Sequence, residues 1–399
     1  MFLKTIISVV SLTFVWLISA SSFADESVID GEFVVQPYEI PDTSAEGFPG
    51  EGFRHMTATI NEASEELIVF GGLGNSPNSG PYNDRVYSLD LAKQPSEQQW
   101  VLENEDLGVS RSWFTSTRGF VEINEDRYLA CTDDDINSVY FFDPDTNTFS
   151  VISTSTLGET IDAGDCCAVG VSIPNSRNGN QIKEERVYML GGRRGPSPQL
   201  AAPDVRYYSI TYDTWHQVAD LNVGRSHLGC GSAERKGVPL IYAIGGGNSP
   251  LNEVFRSIEV YDVIADTWTL YDDYFPEGRQ RLGVQNIDNK YFVLIGGDST
   301  CAGGGGSTCD SDQPINRVDL IDIKNDNRFL SSDDYLIPQL QVPRQTPATS
   351  LREGKGKNDK DKYSLYVIGG RTRDEDGLRE LTTSEVLSFD RINVENIQP

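Results

Sequence analysis

The sequence predicts an all-β chain: six four-stranded antiparallel sheets set as the blades of a propeller, with an N-terminal strand closing the ring. Three observations carry that expectation. Apolar runs ending in a double glycine return along the chain, an alternating strand usually ending in Asp follows them, and no stretch carries the 3.6-residue stripe of an amphipathic helix.

The double glycines come in order as "LIVFGG" (Gly71, Gly72), "VYMLGG" (Gly191, Gly192), "IYAIGG" (Gly245, Gly246), "FVLIGG" (Gly296, Gly297) and "LYVIGG" (Gly369, Gly370). Their first glycines are 120, 54, 51 and 73 residues apart, so the first interval is twice too long. Halfway along it lies "RYLACT", with Cys131 and Thr132 in the glycine slots. The units therefore number six, one of them degenerate.

Each unit continues alike. A polar loop leads to a strand such as "VYSLD" to Asp90, "VYFFD" to Asp143, "IEVYD" to Asp262, "VDLID" to Asp322 or "EVLSFD" to Asp390. A turn rich in Asp, Asn and Thr follows, then an aromatic; Phe142 to Phe149, Tyr208 to Trp215 and Tyr261 to Trp268 all span seven residues. Ahead of each double glycine stands another strand, often opened by an arginine: Arg54, Arg111, Arg225, Arg281 and Arg344. The third unit, "AGDCCAVG", has none. Four short strands with period-2 patterning expose two apolar faces, and copies packed face to face around an axis bury both.

The ends of the chain are expected to differ. "RINVENIQP" after Asp390 lacks the final aromatic, whereas "FVVQPYEIP" (Phe33 to Pro41) reads like "WVLENEDLG" (Trp100 to Gly108), so the N-terminal segment is expected to supply the last blade's outer strand. Residues 1–24 read as a secretory signal: one cation at Lys4, an apolar stretch from about Ile6 to Ile18, and small residues ending at Ala24. Residues 25–399 are then the propeller, secreted or periplasmic, with no membrane span in the mature chain.

With 60 acidic against 33 basic residues and a formal charge of -27, nucleic acid and anionic lipid are disfavoured as partners. Cys131, Cys166, Cys167, Cys230, Cys301 and Cys309 make an even set in a chain read as exported, so disulfides are expected. Cys301 and Cys309 bracket the flexible "AGGGGST" and are expected to pair; the other four pair among themselves, with connectivity open. No cofactor or metal is expected. "DPDTNTFS" at Asp143 lacks the Gly and Glu of a calcium loop, having Thr148 and Thr154 there, and Asp133 to Asp135 read as a solvated loop or a surface calcium site. "REGKGKNDKDK" (Arg352 to Lys362) reads as an exposed hairpin insertion.

On these residues the chain resembles kelch-repeat proteins, whose units carry the double glycine, the tyrosine-Asp strand and the trailing Trp. The resemblance covers nearly all of residues 25–399, departing at Cys131–Thr132, at the missing arginine of the third unit and at the missing last aromatic. The chain is expected to act as a monomeric binding or interaction module without catalysis, and with no BTB-like helical segment before the propeller a ubiquitin-ligase adaptor role is not expected. The partner is an unknown protein, an acidic peptide or a glycan. Arg54, Arg111, Arg225, Arg281 and Arg344 are the candidate ligand contacts at the channel mouth, with the alternative that they tie neighbouring blades together. Two other classes stay open. One is an exported carbohydrate-active enzyme, like sialic acid mutarotases or the copper-radical galactose oxidase, with His55 and His227 near strand starts and His216 on an outer strand. The other is an acidic structural protein of an extracellular matrix.

Overall fold

The computed structural model describes residues 28–36, 54–72, 85–104, 120–124, 126–131, 138–143, 145–155, 157, 165–177, 180–194, 199–299, 313–354, 362–375, 377–390 and 392. Six four-stranded antiparallel sheets account for most of them. Blade 1 runs Thr57–Asn61, Glu66–Phe70, Val86–Asp90 and Trp100–Asn104. Blade 2, the degenerate unit, forms as well: Phe120–Ile123, Asp126–Leu129, Ser138–Asp143 and Thr148–Thr154. Blade 3 is Cys167–Arg177, Asn180–Leu190, Val205–Ser209 and Thr214–Gln217. Blade 4 is Gly229–Arg235, Val238–Ile244, Ile258–Asp262 and Thr267–Tyr271. Blade 5 is Gly283–Ile287, Tyr291–Ile295, Val318–Asp322 and Arg328–Leu330.

Blade 6 takes Ala348–Glu353, Tyr363–Ile368 and Ser384–Phe389 from the C-terminal end of the chain and its fourth strand, Phe33–Val35, from the N-terminal end. Phe33 pairs with Leu387 and Val35 with Glu385, so the expected ring closure is present. Val28, Ile29 and Phe33 are each 1% exposed, which makes the closing segment part of the core.

The core is distributed between the blades. The six apolar clusters correspond one to one with the six blade–blade contacts. In blade 1, Leu67 and Val69 face blade 6 while Ile68 and Phe70 face blade 2. In blade 4, Ile241 and Ala243 face blade 3 while Tyr242 and Ile244 face blade 5. That alternation is the period-2 geometry of a strand buried on both faces.

The repeated spacings have local causes. The Asp closing a third strand caps the next turn: Asp262 Oδ1 accepts from Ile264 N at 2.9 Å, and Asp90 Oδ1 from Ala92 N at 3.0 Å. Five residues after the strand tyrosine stands a left-handed Asp, and the tyrosine hydroxyl donates to it: Tyr261 to Asp266 at 2.6 Å and Tyr208 to Asp213 at 2.9 Å. Two residues further on, the tryptophan packs on that tyrosine, with ring centroids 4.8 Å apart for Tyr261 and Trp268. Its indole N–H then reaches the preceding blade, Trp268 Nε1 to Ala219 O at 2.8 Å and Trp215 Nε1 to Ser153 Oγ at 3.0 Å. The seven-residue interval thus fixes a turn and a blade contact together.

Candidate functional site

The first strands of neighbouring blades touch around an axial channel, and a cavity of about 270 Å³ there is lined by one side of every blade, including Ala58, Glu122, Gly170, Ser232, Gln285 and Thr349. Its wall is sewn by side chains that reach the next inner strand. Ser232 Oγ donates to Gly170 O (2.8 Å), Asn286 Nδ2 to Ser232 O (2.6 Å) and Gln285 Nε2 to Thr349 O (2.9 Å).

At one mouth, just before the first strands, equivalent residues of five blades form a belt: His55, Asp165, His227, Arg281 and Thr346. All five have φ between 50° and 61°. Backbone bonds run from one blade to the next, His55 N to Thr346 O, Thr346 N to Arg281 O, Arg281 N to His227 O and His227 N to Asp165 O. Side chains other than Gly seldom adopt this conformation, and for β-branched Thr346 it is a genuine outlier. Such residues gather where the surroundings over-determine the backbone, often at binding sites.

Two residues before the belt stand Arg225, Arg279 and Arg344, and these three act as stitches. The carbonyl of each accepts from the second glycine of the preceding blade: Gly192 N to Arg225 O (3.0 Å), Gly246 N to Arg279 O (2.9 Å) and Gly297 N to Arg344 O (2.8 Å). A Cβ on Gly245 would lie 2.1 Å from Arg279 O, which is why that slot admits no side chain. The guanidinium of each arginine turns into its own blade. Arg225 bonds Gly245 O and Glu259, Arg279 bonds Gly296 O and Asp319, and Arg344 bonds Gly369 O and Glu385. The ion pairs measure 2.7, 2.6 and 2.6 Å, and their side chains are at most 4% exposed.

Of the five arginines singled out from the sequence, the four that are described fall in different places. Arg225 and Arg344 are 0% exposed and offer no guanidinium to the mouth. Arg281 is not their equivalent: it lies two residues further on, in the belt, and the third stitch is Arg279. Arg54 sits one residue past the stitch position, as shown by the matching approaches of its carbonyl to Gly72 and of Gln280 O to Gly297. Arg111 lies outside the described residues, as do Cys301, Cys309 and Asp133 to Asp135. The register of Arg279 was open to detection, because "RSH", "RQR" and "RQT" stand at one distance from the strand that follows.

Arg54, Arg193, Arg281 and Arg371 gather at the mouth. Arg54 and Arg371 flank Glu380 at 3.0 and 3.5 Å, Arg193 pairs with Asp165, and Arg281 lies 3.3 Å from Asp298. The four arginine side chains are 15–33% exposed, whereas the three carboxylates are 0–4% exposed. The solvent-facing part of this network is guanidinium. His227 is held beneath it, its Nε2 3.1 Å from Asp165 Oδ2; burial pushes its pKa down to about 4, with Arg281 and Arg193 adding to the effect and Asp165 opposing it. His55 shares the belt, and His216 is stacked on Tyr207 on the outer strand of blade 3.

Two disulfides cross blade contacts, Cys131–Cys166 from blade 2 to blade 3 and Cys167–Cys230 from blade 3 to blade 4. The four cysteines thus pair among themselves, as expected. Adjacent residues of a strand point to opposite faces, so Cys166 and Cys167 reach different neighbours. Among the described residues no helix is long and apolar enough to cross a membrane, and disulfides are compatible with an extracellular location.

A family model described as the Kelch motif matches residues 239–271, the second, third and fourth strands of blade 4. Kelch-like protein 26 of Danio rerio is 36% identical over 93 residues, 23% of this chain and 14% of that protein. Kelch-like protein 15 of Homo sapiens is 30% identical over 129 residues, 32% of this chain and 20% of that protein. Kelch-like protein 26 of Homo sapiens is 40% identical over 73 residues, 18% of this chain and 11% of that protein. The matched parts thus cover a fifth or less of these relatives.

Proposed function

We infer that this chain, a kelch-repeat β-propeller, is a protein-interaction module whose channel mouth grips an acidic segment of its partner. The observation that carries the reading is the layering at the mouth, guanidinium groups outward over buried carboxylates, in a chain of net charge -27. Planar guanidinium forks suit carboxylates through paired hydrogen bonds. The belt beneath them is fixed by its blade-to-blade bonds, so the arginines start from a rigid base and little ordering cost falls on binding. Arg54 and Arg281 are the contacts retained from the sequence, joined by Arg193 and Arg371. Residues 1–24 act in this reading as an export leader, and the mature propeller meets its partner outside the cytoplasm.

The test is binding of a labelled Glu/Asp-rich peptide to the full chain, beside an uncharged and a Lys-rich peptide. Arg54→Ala combined with Arg281→Ala is expected to weaken only the acidic peptide, by tenfold or more. Equal binding of all three peptides, or an unchanged affinity in the double variant, overturns the reading. Tighter binding of a neutral oligosaccharide than of the acidic peptide replaces it with glycan recognition.

A further inference from the structure

At the seam between blades 2 and 3 all three parts of the stitch, the double glycine, the arginine and the third-strand carboxylate, are replaced together. Between blades 3 and 4, 4 and 5, and 5 and 6, a double glycine receives the arginine carbonyl and a third-strand carboxylate receives the guanidinium. Between blades 2 and 3 the glycine slots hold Cys131 and Thr132. Two residues before Asp165, where the arginines stand in later blades, the sequence has Ala163. The third-strand position of Glu259, Asp319 and Glu385 is taken in blade 3 by Arg206, which would repel an arginine from the stitch; the pairings Leu190 with Val205 and Ile244 with Ile258 set this register. The disulfide Cys131–Cys166 crosses that same seam. The second disulfide, Cys167–Cys230, crosses a seam whose stitch is complete.

We propose that the contact between blades 2 and 3 is a redox-dependent joint, in which the Cys131–Cys166 bond replaces the arginine stitch. A dithiol reductant supplies two electrons and two protons. The Sγ–Sγ bond breaks, both sulfurs become thiols, and the reductant closes to its own disulfide. Without the covalent bond, and with no arginine to anchor a stitch, the seam keeps among the described residues its apolar cluster and bonds such as Trp215 to Ser153 and Asn124 to Glu185, and the ring opens there before it opens at the stitched seams. Cys131 and Cys166 are 0% and 2% exposed, so reduction proceeds through transient opening and has to be read at equilibrium.

Hydrogen exchange of the full chain tests this. The variant Cys131→Ser/Cys166→Ser is expected to lose protection at residues 126–131 and 187–190, with residues 292–295 unchanged. Cys167→Ser/Cys230→Ser is expected to change protection at 187–190 and 241–244 far less, although its disulfide closes a longer loop of 63 residues. If the first variant fails to fold, the wild type equilibrated with dithiothreitol gives the same reading. Equal opening in the two variants, or loss of protection spread evenly over all blades, overturns the proposal.

Discussion

Acidification is expected to destabilise the propeller through one histidine. His227 is buried, with Asp165 on its Nε2 and the guanidinium groups of Arg281 and Arg193 nearby. Its pKa is depressed from 6.5 to about 4 in the folded chain. The unfolded chain binds this proton from about pH 6.5 downward and the folded chain only near pH 4, so between the two the unfolded state holds more protons. The stability contribution is complete above pH 6.5 and is lost as the pH falls towards 4. At about 1.4 kcal/mol per pH unit, less the rounding near each pKa, the loss comes to about 3 kcal/mol at pH 4. His227→Asn is the suitable comparison, because Asn tolerates the left-handed backbone at φ 54° and keeps an amide that can reach Asp165. Carboxylates that titrate in both proteins cancel in the difference between them. Urea denaturation at half-unit steps from pH 7.5 to 4 is expected to show the wild type losing about 3 kcal/mol more than the variant. A difference that stays flat across that window refutes the argument, and it would mean that His227 is hydrated or already charged in the fold.

Two further substitutions test the packing. Gly245→Ala places a Cβ against Arg279 O in a backbone at φ 57° and is expected to cost about 3 kcal/mol or more, whereas Gly237→Ala at φ 81° has open space around it and is expected to cost about 1 kcal/mol. Equal midpoints in urea for the two variants would remove the glycine from the stitch. Phe33→Ala empties a site in the cluster between blades 5 and 6 and is expected to cost about 3–5 kcal/mol. A loss under about 1 kcal/mol would mean that the N-terminal strand does not seal the ring.

Local periodicity made the blades legible. The Asp turn, the aromatic seven residues after the strand and the double glycine each report contacts set within one unit, so their spacing survives in sequence. The stitch is legible only in part, because its arginine carbonyl acts across a seam and the apolar run that follows does not mark the arginine slot. "RLGVQNI" in blade 5 resembles "RSHLGC" in blade 4, yet the equivalent arginines are Arg225 and Arg279, and Arg281 corresponds to His227. The left-handed belt left no glycine to mark it. His55, Asp165, His227, Arg281 and Thr346 share a conformation but no one residue type, and the closing backbone bonds explain that conformation. The disulfide pairing was within reach of the alternation rule. Adjacent cysteines on an inner strand must face different blades, which leaves Cys131 for one neighbour and Cys230 for the other.

The acidity of the chain is partly a consequence of its architecture. A blade needs a tight reversal between its third and fourth strands, and Asp supplies one by accepting the backbone N–H two residues on, as Asp90, Asp143, Asp262 and Asp322 do. Asp213 and Asp266 accept the tyrosine hydroxyls that fix the same turns. These carboxylates lie at the end of the blades away from the belt, because third strands begin at the belt end and finish at the other. The arginines are spent differently. Arg225, Arg279 and Arg344 neutralise buried carboxylates within the ring, where removing one partner would leave an unpaired charge. Their charge is cancelled inside, whereas the mouth arginines are 15–33% exposed above the belt. The turn carboxylates thus stand at one end of the propeller, and Arg54, Arg193, Arg281 and Arg371 at the other. A partner's carboxylates would find in the mouth a local contrast with the negative remainder of the chain.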